Sequence, residues 1–474
     1  MIVEDRAAES ADRKSRWLFN GLLAILVWAP IPYGSNRPWA VSILLIGTFV
    51  LSASWLRGYS KGQYRLTSSL VRAKPVLYVM LAWLMFGLFQ ILPFPGFLVA
   101  TLSPESWRVH ELAGTNGCSS VSVDTYASLL SFMKSLAYIL VFCLCLLLVD
   151  TGKRIQKLAQ VLVLSGLFQA FYGSLMTLSG LEYGFLIHKY SYIGNATGTF
   201  INRNHLAGYL EMCIAVGIGL MISKLGGNSS HTGRQKLRNL IRTMLGEKLR
   251  LRLYLAVMVI ALVLTHSRMG NTAFFSSMLA AGIIALLLAR NASRSMVILL
   301  ASLILIDIFI VGTWFGMEKV VNRLEHTSMV HDAGRANVDK TSFRIFKDYF
   351  FTGSGGGSFY AVFPEYRTAD IDAYYDHAHD DYMEFAVEYG IAAILPAIMV
   401  LFSVAAAILA LHRRKNLLMK GMAFSSLMGI LSLMIHSFVD FNLQIPANAM
   451  TFMVILSLGW ISLFAGGESG IASG

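Results

Sequence analysis

Charge is scarce in this sequence: only 14% of its 474 residues are Asp, Glu, Lys or Arg, against 55% that are apolar. Soluble domains carry about a quarter charged residues, so this chain is built for a bilayer. Cysteine is scarcer still, with four in the whole chain. Cys143, Cys145 and Cys213 lie inside apolar runs, which leaves Cys118 alone in a polar loop. That excludes a disulfide framework, and no redox role is implied. Internal repeats of useful length and low-complexity segments are also missing. No small-residue cleavage site follows the first apolar run, so "MIVEDRAAESADRKSRW" is expected to be a cytoplasmic tail leading into a retained helix, not a signal peptide. The formal charge of +12 does not point to nucleic acid. Its basic residues are scattered between apolar runs, as they are when they orient membrane helices.

About twenty mostly apolar residues cross a hydrocarbon core. By that measure spans are expected near 17–33, 39–57, 75–95, 129–149, 158–178, 205–223, 252–267, 270–289, 296–315, 382–411, 421–437 and 448–465, about twelve in all. With this count, most of the 39 lysines and arginines fall on one side. They lie in the N-terminal tail, the 58–74 and 224–252 loops, at Lys153, Arg154 and Lys157, at Arg290 and Arg294, and between Arg413 and Lys420. The positive-inside rule then puts both termini in the cytoplasm.

On this reading only one loop, about 317–381 on the outer side, is long enough to hold structure of its own. Within it "TSFRIFKDYFFTGSGGGSF" offers Thr341 and Ser342 as N-caps, Phe343, Phe346 and Phe350 at helical spacing, and a stop at Gly353. A short amphipathic helix follows, either lying in the membrane interface or packed on the outer ends of the bundle. The run "GSGGGSF" lacks the Lys-Ser/Thr of a phosphate loop and reads as a flexible turn.

Polar groups at the ends of membrane helices cost several kcal/mol to bury and are functional candidates by default. Four stretches carry them. "GTFINRNHLAGYLEM" puts Arg203, Asn204 and His205 at a helix N-terminus, where backbone N–H groups favour an anion, and continues the polar face through Gly208 to Glu211. Simple capping by Asn202 or Asn204 explains neither Arg203 nor Glu211. "LTHSRMGN" holds Arg268 in a tight hairpin, where its guanidinium suits a phosphate or snorkels to the interface. "DHAHDDYMEF" gathers Asp376, His377, His379, Asp380, Asp381 and Glu384, with Glu388 one turn beyond. Its H-x-H-D-D core is a weak metal signal. It fits better a histidine base, oriented by a carboxylate, that takes a proton from a sugar hydroxyl. "HSFVDFNLQIPANAM" concentrates His436, Asp440, Asn442, Gln444 and Asn448, for sugar binding or for loop satisfaction, the latter favoured. Lys134 and Asp307 sit inside helices without readable partners.

Four stretches in order, "GTFINRNHLAGYLEM", "HSRMGN", "FRIFKDYFFTGSGGGSFYAVFPEYR" and "HAHDDYMEFAVEYGI", resemble the bacterial family of O-antigen ligases and O-antigen or exopolysaccharide polymerases. The resemblance covers roughly 195–400. It implies an all-α polytopic GT-C-like membrane protein with one large, partly helical periplasmic loop. The activity implied is a metal-independent, inverting glycosyltransferase of the bacterial inner membrane, with no cofactor. Its donor would be a glycan on polyprenyl (undecaprenyl) diphosphate and its acceptor a saccharide, with chain-length or export proteins as partners. By the same motifs His379 would be the catalytic base and Arg203, Arg268 and Arg344 would hold the diphosphate. Asn204, His205, Glu211, His377, Asp380, Asp381 and Glu388 would support the site or bind the acceptor. Two positions depart from the family: Asp380 follows His379 where Asn is common, and Thr352 replaces a proline before the glycine run.

The expected organisation is N-terminal helices over 1–194, a core over 195–411 that includes the loop 317–381, and C-terminal helices over 412–474. The C-terminal stretch tilts the reading toward a polymerase, with a ligase acting on lipid A-core as the near alternative. A transporter of lipid-linked oligosaccharides is the alternative of another class, but related halves and broken midplane helices are not visible. A structural or sensory protein leaves Arg203, Arg268 and His379 unexplained.

Overall fold

The computed structural model describes residues 2–115, 117–225, 246–288, 301–302, 305, 328–369, 371 and 374–466. Among them nine helices are long and apolar enough to cross a membrane. They are Pro38–Ser60, Lys74–Ile91, Thr125–Leu148, Gly152–Leu178, Arg203–Ser223, Arg268–Leu288, Asp381–Arg413, Leu417–His436 and Pro446–Phe464. Two further apolar helices, Ser15–Trp28 and Glu247–Leu264, occupy expected positions but are shorter or carry a charged first turn. The protein is an all-α polytopic membrane protein, as its composition requires, since a lipid-exposed backbone must satisfy its hydrogen bonds within the helix. The expected span 296–315 lies almost wholly outside the described residues, as do Asp307, Arg290, Arg294 and most of the 224–252 loop.

Local sequence sets the helix starts. Asp124 accepts from Ala127 N, Asn202 from Asn204 N, and Asn416 from Leu418 N, while Pro38 and Pro446 open their helices at the first turn. Three helices form the centre: Arg203–Ser223, Leu417–His436 and Pro446–Phe464 are each at least 78% buried over their apolar windows. The first two touch backbone to backbone. A Cβ on Gly219 would lie 2.2 Å from the Gly421 carbonyl oxygen, and one on Gly421 2.1 Å from that of Gly219. Small residues are what permit such an approach between membrane helices.

A second core of Val338, Ile345, Tyr349, Phe359, Phe363 and Val387 sits at one end of the bundle. It corrects the expected start of the amphipathic helix. Thr341 and Ser342 are buried in the interior of the Ser328–Asp348 helix and cap nothing, because the residues before them are helical too. The packed face is Val338, Ile345 and Tyr349, whereas Phe343 and Phe350 are exposed. The 317–381 loop is also not alone in holding structure. Between the Lys74–Ile91 and Thr125–Leu148 helices, Phe94–Pro95 pairs with Cys118–Ser119, and the short helices Gly96–Leu102 and Pro104–Leu112 lie between the two strands.

The glycine run is not a flexible turn. Gln90 Nε2 donates to the carbonyls of Thr352 and Glu388, both at 2.8 Å, and Gln90 Oε1 accepts from Gly356 N. Ser354 N and Gly355 N donate to the carbonyls of Val387 and Glu388. Gly353 has φ +66° and Gly355 φ +109°, and a Cβ on Gly353 would stand 2.1 Å from the Glu388 oxygen. Glycine is required there by both backbone angle and space.

Gly353→Ala is therefore expected to cost more than about 3 kcal/mol, adding overpacking to backbone strain. Gly62→Ala, with φ +71° and open space around it, should cost only about 1 kcal/mol. Thermal unfolding of both variants in the same detergent checks the contrast; equal melting points would refute it.

Candidate functional site

The end of the Leu417–His436 helix and the start of Pro446–Phe464 are joined by nine residues that fold back into the protein. Asp440 in this connection is fully buried. Its Oδ1 accepts from Phe441 N at 2.8 Å and faces His205 Nε2 at 3.7 Å and His379 Nδ1 at 4.0 Å. Burial alone would raise the Asp440 carboxyl, but the facing His205, with His436 and His379 nearby, brings it well below the usual carboxylate range. Phe441 is wedged among three imidazoles. His377 stacks on it at 4.2 Å between centroids, while His205 and His379 meet its ring edge-on at 4.7 and 4.8 Å.

The His377–Glu384 segment places its groups on separate tasks. His377 Nδ1 donates to Glu384 Oε1 at 2.7 Å, and Glu384 Oε2 accepts from Ala378 N. Burial lowers the His377 ring, but the charge and hydrogen bond of Glu384, helped by Asp376 and Glu388, raise it to about 9. Asp380 caps the next helix by accepting from Tyr382 and Met383 N. Burial pushes its carboxyl up to about 6 against those bonds. Asp381 ties the segment to the 437–445 connection, accepting from Ser437 Oγ at 2.7 Å and from Leu443 N. His379 stands in the left-handed region at φ +57°, a conformation that a non-glycine residue holds only when its surroundings fix it. Among the described residues, no group of three or more His, Cys, Asp or Glu is arranged to hold a metal ion.

Arg203 opens the Arg203–Ser223 helix, with Nη1 donating to Asn195 Oδ1 at 2.8 Å and the guanidinium over Tyr192. Asn202 is the cap, and Asn204 stands half-buried beside it. Two turns below, Glu211 is fully buried, 2.9 Å from His436 Nδ1 and accepting from Ser432 Oγ at 2.6 Å. Arg268 opens the neighbouring Arg268–Leu288 helix and is exposed. Gly270 brings that helix start against Ala207 and Glu211. The fold thus gathers Arg203, Arg268, His205, His379 and Asp440 at one end of the bundle. Arg344 is exposed on the Ser328–Asp348 helix, apart from the cavity wall that carries His377 and Glu384.

A cavity of about 700 Å³ opens beside this cluster, with His377, Glu384 and Glu388 in one wall and Lys134 and Trp83 in another. Lys134 lines the same cavity as Glu384 and Glu388 and feels their charge across it. None of the three arginines lines this cavity. Asp440, His436 and Lys134 were not among the expected site residues. "HSFVDF" carried the signal for two of them, but only the return of the chain toward His205 and Glu211 distinguishes Asp440 from a loop residue. The other expectation for that stretch holds in part: Asn448 Nδ2 donates to the His205 carbonyl and to Asn442 Oδ1.

Residues 253–398 match the family model described as O-antigen ligase. The chain carries an O-antigen ligase domain. The match supports membership of the O-antigen ligase/polymerase family and the glycosyltransferase-like activity that goes with it. It takes in Arg268, Arg344, His377 and His379; Arg203, His205, Glu211 and Asp440 lie outside it. Comparison with curated proteins finds no match.

The His377–Glu384 pair has a pH signature. The folded value of about 9 lies above the ordinary 6.5, so the stabilisation is full below about pH 6.5 and is lost as pH rises through about 9. Glu384→Gln should lower the melting temperature in mildly acid buffer, with the gap to wild type shrinking across that window. A gap that widens with pH would contradict the pairing.

Proposed function

We propose that this protein is a glycosyltransferase of the bacterial inner membrane that moves a glycan from a polyprenyl diphosphate to a hydroxyl of an acceptor saccharide on the periplasmic face. Both termini are assigned to the cytoplasm, and residues 195–411 form the core of the machinery. The observation that carries this reading is the position of His379. It is set against a fully buried carboxylate, 4.0 Å away, at the end of the bundle where two arginine-bearing helix N-termini lie side by side, in a chain whose O-antigen ligase domain spans this histidine.

His379 serves the reaction better than His377. A histidine raised to about 9 by Glu384 is already protonated at neutral pH and cannot take a proton. His379 receives the acceptor hydroxyl's proton, and Asp440 stabilises the imidazolium that forms. The acceptor oxygen then attacks the anomeric carbon from the face opposite the diphosphate, the C–O bond to the diphosphate breaks, and configuration inverts. Arg203 and Arg268, aided by helix N-termini, take up the charge on the leaving group, and Arg344 supports it from the loop. Such fixed cations do what a divalent ion does in many nucleotide-sugar enzymes, so the proposed reaction needs no metal.

Polymerisation of lipid-linked repeat units is the leading reading, because the C-terminal "HSFVDFNLQIPANA" resembles members that accompany exopolysaccharide assembly. The second, transfer of a finished glycan to lipid A-core, is favoured by the description of the matching family model. The two share donor chemistry and differ in acceptor.

In nanodiscs with a polyprenyl-diphosphate repeat unit alone, wild type should build a ladder of lipid-linked products. His379→Ala should lose at least about 10²-fold in rate while still binding donor. Arg203→Ala or Arg268→Ala should abolish transfer and weaken donor binding. No ladder, but transfer to added lipid A-core, would replace polymerase by ligase; no transfer to either acceptor would overturn the reading. Activity should survive EDTA, and a loss restored by one divalent ion would refute the metal-free scheme.

A further inference from the structure

The segment that joins the Gly152–Leu178 and Arg203–Ser223 helices turns back along the first of them. Its residues 182–189 form a hairpin. Lys189 N donates to the Glu182 carbonyl at 2.8 Å, Gly184 N donates to that of Ile187 at 2.9 Å, and Tyr183 and His188 form an antiparallel bridge. Tyr172 Oη donates to the Gly184 carbonyl at the turn. Tyr172 lies six residues before the end of its helix, about 9 Å along the axis, and long side chains lean toward the helix start, away from that end. Phe185 packs edge-on against Tyr33 at 5.6 Å, which fastens the turn to the bundle. The hairpin therefore hangs beside a membrane-spanning helix instead of rising from its end.

What the hairpin exposes is apolar. Leu186, Ile187, Tyr190 and Ile193 are 62–76% exposed. On the adjoining helix Phe168, stacked on Tyr172 at 6.1 Å, and Phe171 are exposed too, so the apolar surface runs on from the spanning helix. The two charged side chains of the hairpin are turned inward and paired. Lys189 Nζ donates to Glu182 Oε2 at 2.7 Å, with the two side chains only 6% and 8% exposed, and Glu182 Oε1 accepts from Gly194 N. Glu182 and Tyr192 hold left-handed backbone at φ +51° and +55°, which a non-glycine residue keeps only where its surroundings fix it. A loop in water puts its charges outside and its apolar groups inside. Against lipid the order reverses, and charges are kept in pairs within the protein. His188, with Nδ1 at 3.1 Å from the Lys189 carbonyl, adds the polar edge that an interfacial segment carries.

We infer that the partner of this hairpin is the lipid leaflet on the side of the candidate site: Leu186, Ile187 and Tyr190 dip into its interfacial layer, and the hairpin so held moors Arg203. The mooring runs through two residues. Lys189 Nζ also donates to the Asn195 carbonyl at 2.9 Å, Asn195 Oδ1 accepts from Arg203 Nη1 at 2.8 Å, and the guanidinium lies over Tyr192. Asn195 is thus a positioning residue, coupled by Lys189 to the immersed turn. Immersion stands on the geometry alone, whereas its consequence for transfer rests on the glycosyltransferase reading, in which Arg203 takes the donor.

The test places nitroxide spin labels at Leu186→Cys or Tyr190→Cys in the full-length protein, with the exposed thiol of Cys118 removed as Cys118→Ser, in nanodiscs. Both labels should meet dissolved oxygen in preference to a nickel chelate, whereas a label at the exposed Ala369→Cys of the 317–381 loop should show the opposite preference. A nickel-chelate accessibility equal to that at 369 would make the hairpin an aqueous loop. Shielding from both reagents would mean that protein covers it; either result overturns the immersion. Leu186→Asp combined with Ile187→Asp should carry the label at 190 into the water phase. In the transfer assay that pair should raise donor KM by about fivefold or more with kcat nearly kept, as loss of binding without loss of chemistry requires, while Leu186→Phe restores both. Asn195→Ala should raise donor KM in the same way, and keeps the mooring open to test if the double variant does not fold. Unchanged donor KM in Asn195→Ala would sink the mooring and leave the immersion. Lipid-exposed labels in a protein that transfers to no acceptor would sink the glycosyltransferase reading and leave the hairpin as a membrane anchor.

Discussion

A carboxylate buried without compensation would cost several kcal/mol, and Asp440 is fully buried. The end of the bundle is arranged around that constraint. His205 comes from the first turn of one central helix, His379 from the segment before another helix, and Phe441 fills the space between them. Remove the carboxylate and the imidazoles would face one another across an aromatic ring with no counter-charge, leaving Asp381 and Asn448 to hold the elements in register. The same rule recurs two turns deeper, where Glu211 is held by His436 and Ser432. Two acid–histidine pairs therefore stitch the Arg203–Ser223 helix to the Leu417–His436 helix and its return. In a bilayer, where apolar packing against lipid gives little preference for one neighbour over another, such pairs and close glycine contacts set which helices meet.

The second organising feature is backbone recognition by a single side chain. Gln90 satisfies two carbonyls and one N–H of the glycine run and the Glu388 region. A rigid platform results, and from it Glu384 and Glu388 project into the cavity while His377 is locked to Glu384. On the proposed reading, neighbouring histidines two residues apart have opposite duties. One is kept charged by a carboxylate at 2.7 Å and shapes the rim. The other faces its carboxylate at 4.0 Å, which leaves room for the imidazole to take up a proton and have it stabilised.

Much of the fold was legible because a bilayer makes hydrophobic length a direct reporter of structure. Eleven of the twelve expected spans coincide with helices among the described residues. Boundaries and loops were less legible. Thr341 and Ser342 resembled caps, yet the helix begins thirteen residues before Thr341, since nothing in "SMVHDAGRANVDK" stops it. "GSGGGSF" resembled a flexible turn because its composition does not reveal Gln90, which lies more than 260 residues away. At the site, charged residues at helix ends were visible as anomalies, and the structure gathers most of them at one end. What sequence could not supply was pairing. Lys134, Glu384 and Glu388 stood out in sequence, but nothing there brought them to one cavity, and Asp440 stood in a stretch where hydrogen bonding within the loop explained every polar residue equally well.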